Sequence, residues 1–126
     1  MAKETILIAD DDRTALTPLA AFFRKEGFNV MPAFAAAQAM MAASRAPFPN
    51  AIILDVSMPG GTGLDVLKKL KAKTKTSQIP IIIVSGSLKP GVHEEIKGLG
   101  AEEYLTKPVD LERLRTVVLK ALGRPA

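Results

Sequence analysis

Ile81-Ile82-Ile83-Val84 is a run of four apolar residues opened by Pro80 and closed by Ser85. Nothing polar alternates within it, so it reads as a strand buried on both faces, as in a parallel sheet. Ile6-Leu7-Ile8-Ala9 and Ala51-Ile52-Ile53-Leu54 repeat the pattern. Phe28-Asn29-Val30-Met31 is a weaker version, and Glu103-Tyr104-Leu105 is less apolar, as an edge strand is. Between the runs the period becomes helical. Leu16, Leu19, Ala20 and Phe23 form one stripe; Leu64, Leu67 and Leu70 another; Leu111, Leu114, Val118, Ala121 and Leu122 a third. Ala35 to Ala46 is a helix by propensity, and Gly91 to Gly98 a short further one. The order is β-α five times over, which predicts an α/β fold: an open, doubly wound parallel sheet with helices on both faces. Pro18 falls inside the first helical stripe, so that helix should start late or kink.

The remaining composition narrows the function. The 126 residues suit one domain, read as spanning 1–126 with a core of about 5–122. With 48% apolar and 24% charged residues the chain is globular, and with no Cys it has neither disulfides nor thiolate sites. The first apolar run is too short for a signal peptide or a membrane span, so the expected location is the cytoplasm, with no membrane partner. A net charge of +4 invites a nucleic-acid reading. Aromatics are only 5%, however, and the basic run Leu67-Lys68-Lys69-Leu70-Lys71-Ala72-Lys73 is spaced like the wet face of a helix. No direct nucleic-acid partner is expected.

Chemistry in an open α/β sheet sits beyond the carboxyl ends of the strands. There the first run ends in Asp10-Asp11-Asp12, the second long one in Asp55, the next in Ser85, and the last is followed by Lys107-Pro108. Two unit charges about 4 Å apart cost on the order of 4 kcal/mol at an effective dielectric near 20, so clustered carboxylates need cations. Lys107 supplies one charge. With oxygen ligands and no Cys or nearby His, the complementary ion is Mg²⁺, or Mn²⁺. A carboxylate beside such an ion and a lysine can accept a phosphoryl group, and a hydroxyl such as that of Ser85 can then donate to it. Asp12 also reads as an N-cap. A lone strand-end serine is ordinarily a turn residue and a lone lysine a surface one; the joint arrangement carries the argument.

These residues resemble the receiver domain (CheY-like) of two-component response regulators over about Thr5 to Leu122. The motifs are Ile8-Ala9-Asp10-Asp11, Leu54-Asp55-Val56-Ser57-Met58-Pro59, Val84-Ser85-Gly86 and Tyr104-Leu105-Thr106-Lys107-Pro108. They are separated by 44 residues from Asp11 to Asp55, 30 to Ser85 and 22 to Lys107. The resemblance implies a flavodoxin-like sheet of order 2-1-3-4-5. It implies Asp55 as phosphoacceptor, with Mg²⁺ held by Asp11, Asp55 and the backbone carbonyl of Ser57, and by Asp10 mainly through water. Lys107 would pair with the phosphoryl group and precede a cis proline. Ser85 and Tyr104 would switch, although Tyr104 alone reads as a half-buried edge aromatic. Gly86 stands where the family commonly has Ala, which should loosen that loop. Pro59-Gly60-Gly61-Thr62-Gly63 replaces the usual turn, and Ser57 and Ser87 occupy positions that tune acyl-phosphate hydrolysis. His93 reads as a surface residue away from the site.

The implied protein is a stand-alone phosphoacceptor switch rather than an enzyme, with at most self-phosphorylation from small donors and autodephosphorylation. Its phosphate would come from a histidine kinase or phosphotransfer protein. Output, to a downstream protein or in dimerisation, would use the fourth helix, fifth strand and fifth helix. An aspartyl phosphatase would want an acid where Ser57 stands, and an FMN binder would not place Asp10-Asp11-Asp12 against a phosphate. A receiver-like interaction module that is never phosphorylated need not keep this chemistry.

Overall fold

The computed structural model describes residues 3–56, 63–86 and 91–125. Five strands alternate with five helices: β1 (Thr5–Ala9), α1 (Arg13–Lys25), β2 (Asn29–Ala33), α2 (Ala36–Ala43), β3 (Ala51–Leu54), α3 (Gly63–Ala72), β4 (Ile81–Ser85), α4 (Val92–Gly98), β5 (Glu103–Thr106) and α5 (Leu111–Ala121). All pairings are parallel, in the order β2-β1-β3-β4-β5. β1, β3 and β4 are interior strands with almost wholly buried side chains, as their unbroken apolar runs require.

The two-residue period divides those runs between two cores. Ile6, Ile8, Ile53, Ile82 and Val84 point to one face, under Leu16, Leu19 and Phe23 of α1 and Leu114 and Val118 of α5. Leu7, Ile52, Leu54, Ile81 and Ile83 point to the other, under α2, α3 and α4, where Ala39, Leu67 and Ile96 are buried. Each large side chain so buried stabilises the fold by about 1.5–3 kcal/mol, so both faces must be covered for the sheet to persist. The edges are weaker. β2 carries Pro32 opposite Ile8, which an outer strand tolerates because one side of its ladder is unused.

Helix α1 neither starts late nor is interrupted at Pro18. It begins at Arg13, and Pro18 lies on its exposed side. The missing N–H deprives the carbonyl of Thr14, itself exposed, so water can take its place. Past the helix's last residue, Lys25, the turn is closed by Gly27, whose φ of 99° lets Gly27 N–H reach the Arg24 carbonyl and Phe28 N–H the Phe23 carbonyl. In α3, Lys68, Lys69 and Lys73 are exposed as their spacing predicts, but Lys71 is not simply on the wet face. Its Nζ donates to the carbonyls of Ser77 (3.1 Å) and Ile79 (2.9 Å), tying α3 to the approach to β4. The helical stem is long enough to reach loop carbonyls, an option that periodicity does not register.

Candidate functional site

Three strand ends build the site in the same way. The ladder continues one residue past β1, β3 and β5, so that Asp10 N–H donates to the Ala33 carbonyl (2.9 Å), Asp55 N–H to that of Ala9 (2.9 Å), and Lys107 N–H to that of Ser85 (2.8 Å). Each chemistry-bearing residue is therefore fixed by the sheet before its side chain begins. Asp10 is 3% exposed, Asp55 5% and Ser85 2%, whereas Asp11 is exposed. Carboxylate oxygens of Asp10, Asp11 and Asp55 lie within 4.8 Å of one another.

Side-chain hydrogen bonds join the strands across the pocket. Ser85 Oγ donates to Asp55 Oδ1 at 3.0 Å. Lys107 Nζ donates to Asp10 Oδ2 at 2.7 Å and to Asp55 Oδ2 at 3.4 Å. Asp10 Oδ1 accepts Asp12 N–H at 2.9 Å. Burial works against the Lys107 ammonium, but the Asp10 hydrogen bond and the charges of Asp55 and Asp10 outweigh it and raise its pKa above the ordinary lysine value. Asp12 caps α1 by accepting from Thr14 Oγ1 (2.6 Å) and Thr14 N–H (2.9 Å), and these bonds hold its pKa below the usual carboxylate value. The N-cap reading of Asp12 therefore holds. The Lys107–Pro108 peptide is cis, as is Ala46–Pro47.

The pocket fits a divalent cation. Three carboxylates set against one ammonium leave an excess of two negative charges among oxygen ligands, two of them buried where water screens poorly. Ser57, whose carbonyl completes the expected ligand set, lies outside the described residues, as do Ser87 and most of the turn from Pro59.

Three features escaped the sequence reading. A Cβ on Gly63 would lie 2.2 Å from the carbonyl oxygen of Asp55 and 2.5 Å from Val56 Cα, while Gly63 N–H donates to the Val56 carbonyl at 2.8 Å. The start of α3 is thus wedged against the peptide that carries Asp55, and only glycine fits; the glycine-rich turn was the available signal. Asp10 is the shorter partner of Lys107. His93 is exposed as read, but it is not isolated: its ring lies 4.7 Å from that of Tyr104, whose hydroxyl donates to the Gly86 carbonyl at 3.3 Å.

Comparison with known proteins agrees with this geometry. The model of the response regulator receiver domain family matches residues 6–119. Protein PilH of Pseudomonas aeruginosa is 37% identical over 118 residues, covering 94% of this chain and 97% of PilH. Sporulation initiation phosphotransferase F of Bacillus subtilis is 32% identical over 122 residues, covering 97% and 96% of the two chains. Among solved structures, a putative response regulator from Chloroflexus aurantiacus superposes with a TM-score of 0.90 at 28% identity, covering 98% of this chain and all of that one. A response regulator receiver protein from Pseudomonas putida gives 0.89 at 27% identity, covering 95% and 98%. The chain belongs to the response regulator receiver domain family of two-component signalling. Domains of this kind are generally phosphoacceptor switches that bind Mg²⁺ at an acidic pocket and exchange signals with kinases or phosphotransfer proteins. No helix among the described residues is long and apolar enough to cross a membrane.

Proposed function

We propose that the chain is a single receiver unit, with a core of about 5–122, that accepts a phosphoryl group on Asp55. The observation that carries this reading is the position of the Asp55 carboxylate: buried, bonded to both Ser85 and Lys107, and within 4.8 Å of carboxylate oxygens of Asp10 and Asp11. Asp11 and Asp55 would hold Mg²⁺ directly, with the Ser57 carbonyl. Asp10 would act through water, since its oxygens already accept Asp12 N–H and Lys107 Nζ. Mn²⁺ suits the same oxygen set. The bound ion supplies neutralisation of charge on the phosphoryl oxygens.

The residues of the chain do the rest. An Asp55 oxygen attacks phosphorus in line and forms the new P–O bond. The bond from phosphorus to the donor breaks, and the leaving group departs with the electron pair: an imidazole nitrogen from a histidine kinase or phosphotransfer protein, or acetate from acetyl phosphate. Lys107 Nζ, already between Asp10 and Asp55, pairs with the anionic product. Ser85 Oγ exchanges its Asp55 partner for a phosphoryl oxygen, and Tyr104 changes rotamer in response. The change is read by a downstream protein, or by a second copy of the chain, on the face of α4, β5 and α5.

Incubation with acetyl phosphate and Mg²⁺ tests the reading by intact mass. One phosphoryl group should add to the wild type and none to Asp55→Asn. An unchanged wild-type mass at saturating Mg²⁺ overturns it in favour of an interaction module that is never phosphorylated.

A further inference from the structure

Tyr104 is the chain's one tyrosine, His93 its one histidine, and there is no tryptophan. The two rings meet with centroids 4.7 Å apart and planes tilted by 45°. Tyr104 is half-buried against the core under α4, and its hydroxyl donates to the carbonyl of Gly86, the residue after Ser85. The phenol is thus held at both ends, by a carbonyl at its tip and by an imidazole against its ring. An exposed side chain in the first turn of a helix has free rotamers to lose, so its place on another ring marks a favourable contact. Around the pair, Glu94 and Glu95 follow His93 in α4. One turn on, Lys97 Nζ pairs with Glu103 Oε1 of β5 at 3.2 Å, and Arg113 of α5 bears on the same carboxylate.

We propose that His93 is a positioning residue for Tyr104: its ring holds the phenol on the Gly86 carbonyl and thereby sets how readily phosphorylation releases it. This rests on the switching role of Tyr104 given above. The contact favours the arrangement seen here, and whatever moves Tyr104 away must overcome it.

The sequence makes the test clean, because Tyr104 is the only strong intrinsic fluorophore. Tyr104 emission and its acrylamide quenching are compared in the wild type, His93→Ala and His93→Phe. The wild type should be well shielded, His93→Ala should be quenched more, and His93→Phe should restore the shielding. Identical emission and quenching in the wild type and His93→Ala overturn the positioning role.

Acetyl phosphate and Mg²⁺ are then added and occupancy is read by mass. Loss of the contact should raise phosphoryl occupancy at a sub-saturating donor concentration roughly two- to fivefold in His93→Ala, with His93→Phe nearer the wild type. Equal occupancies in all three proteins overturn the coupling. If the phosphoryl group adds but Tyr104 emission does not respond in any of them, it is the switching role of Tyr104 that falls, while the quenching difference between the wild type and His93→Ala still establishes the ring contact. If no phosphoryl group adds, the acceptor reading of Asp55 falls instead.

Discussion

Two half-buried lysines, one at each end of the sheet, show what turns an ammonium into part of a functional site. Lys71 reaches from α3 to the carbonyls of Ser77 and Ile79. Burial lowers its pKa, and the charge of Glu102 offsets this only in part. Lys107 faces Asp10 and Asp55 instead, and its pKa is raised. The first lysine satisfies the carbonyls of a loop, which carry no net charge of their own. The second is outnumbered by the three carboxylates around it, a surplus of negative charge that a divalent cation would offset. Burial of the same group thus serves structure in one place and chemistry in the other, according to whether its partners are carbonyls or acids.

Each lysine has a glycine beside its region, and exchanging both for alanine should separate the regions most widely. At Gly63 the added Cβ meets backbone atoms of Asp55 and Val56 at 2.2 and 2.5 Å, which no rotamer change relieves. Gly63→Ala should lose at least about 3 kcal/mol of stability, with phosphorylation of whatever folds nearly abolished. At Gly100 the Cβ meets only Lys71 methylenes at 3.5–3.6 Å, and the penalty is the φ of 100°. Urea unfolding of Gly100→Ala should show a loss nearer 1 kcal/mol, with phosphorylation unchanged. Equal losses would erase the distinction between the two edges.

Removing the ammoniums comes next. Lys107→Met should lose about 2 kcal/mol at pH 7 by urea unfolding, because hydrogen-bonded charges are left facing each other. Lys71→Met should lose about 1 kcal/mol. Mg²⁺ sharpens the contrast. A saturating excess should raise the wild-type melting temperature by roughly 5 °C or more, and Asp11→Ala should abolish the rise. Lys71→Met should keep the shift, and Lys107→Met should enlarge it because the pocket is more anionic; a Lys107→Met shift no larger than the wild type's would count against the charge argument.

The smallest effect lies at alkaline pH, where the two lysines carry opposite signs. Lys107 holds its proton more tightly folded than unfolded. Its contribution is whole below the unfolded value near 10.5 and is lost as pH rises through the higher folded value. Lys71 is the reverse: between its lowered folded value and 10.5 the unfolded chain binds more protons, so stability rises with pH. Stability differences from the two Met variants, followed by urea unfolding above pH 9, should diverge in these directions.

Much of this was legible in the sequence, for identifiable reasons. Buried strands must be continuously apolar, so β1, β3 and β4 appear within about one residue of their bounds. β2 was displaced, read as Phe28 to Met31 against the observed Asn29–Ala33. Phe28 is buried against α1 before the strand begins, and Pro32, exposed at the edge, disguises the strand's end. Asp10, Asp11, Asp55, Ser85 and Lys107 were legible because parallel strands bring their carboxyl ends to one edge whatever the connections do. Lys71, Gly63 and His93 were not, because each acts on backbone or on a ring that folding alone brings near. A lysine bonded to carbonyls and one bonded to water look alike in a string of letters.

The ladder bonds from Asp10, Asp55 and Lys107 have a consequence for how a signal leaves the site. With these three amides clamped to neighbouring strands, the proposed chemistry at Asp55 would take place on backbone that the sheet holds in place. Solvent exchange of those amides should be as slow with phosphate as without. Little of the proposed reaction's driving force would then be absorbed by local yielding, and a shape change would surface at a distance, in side chains and helices that the ladder does not grip.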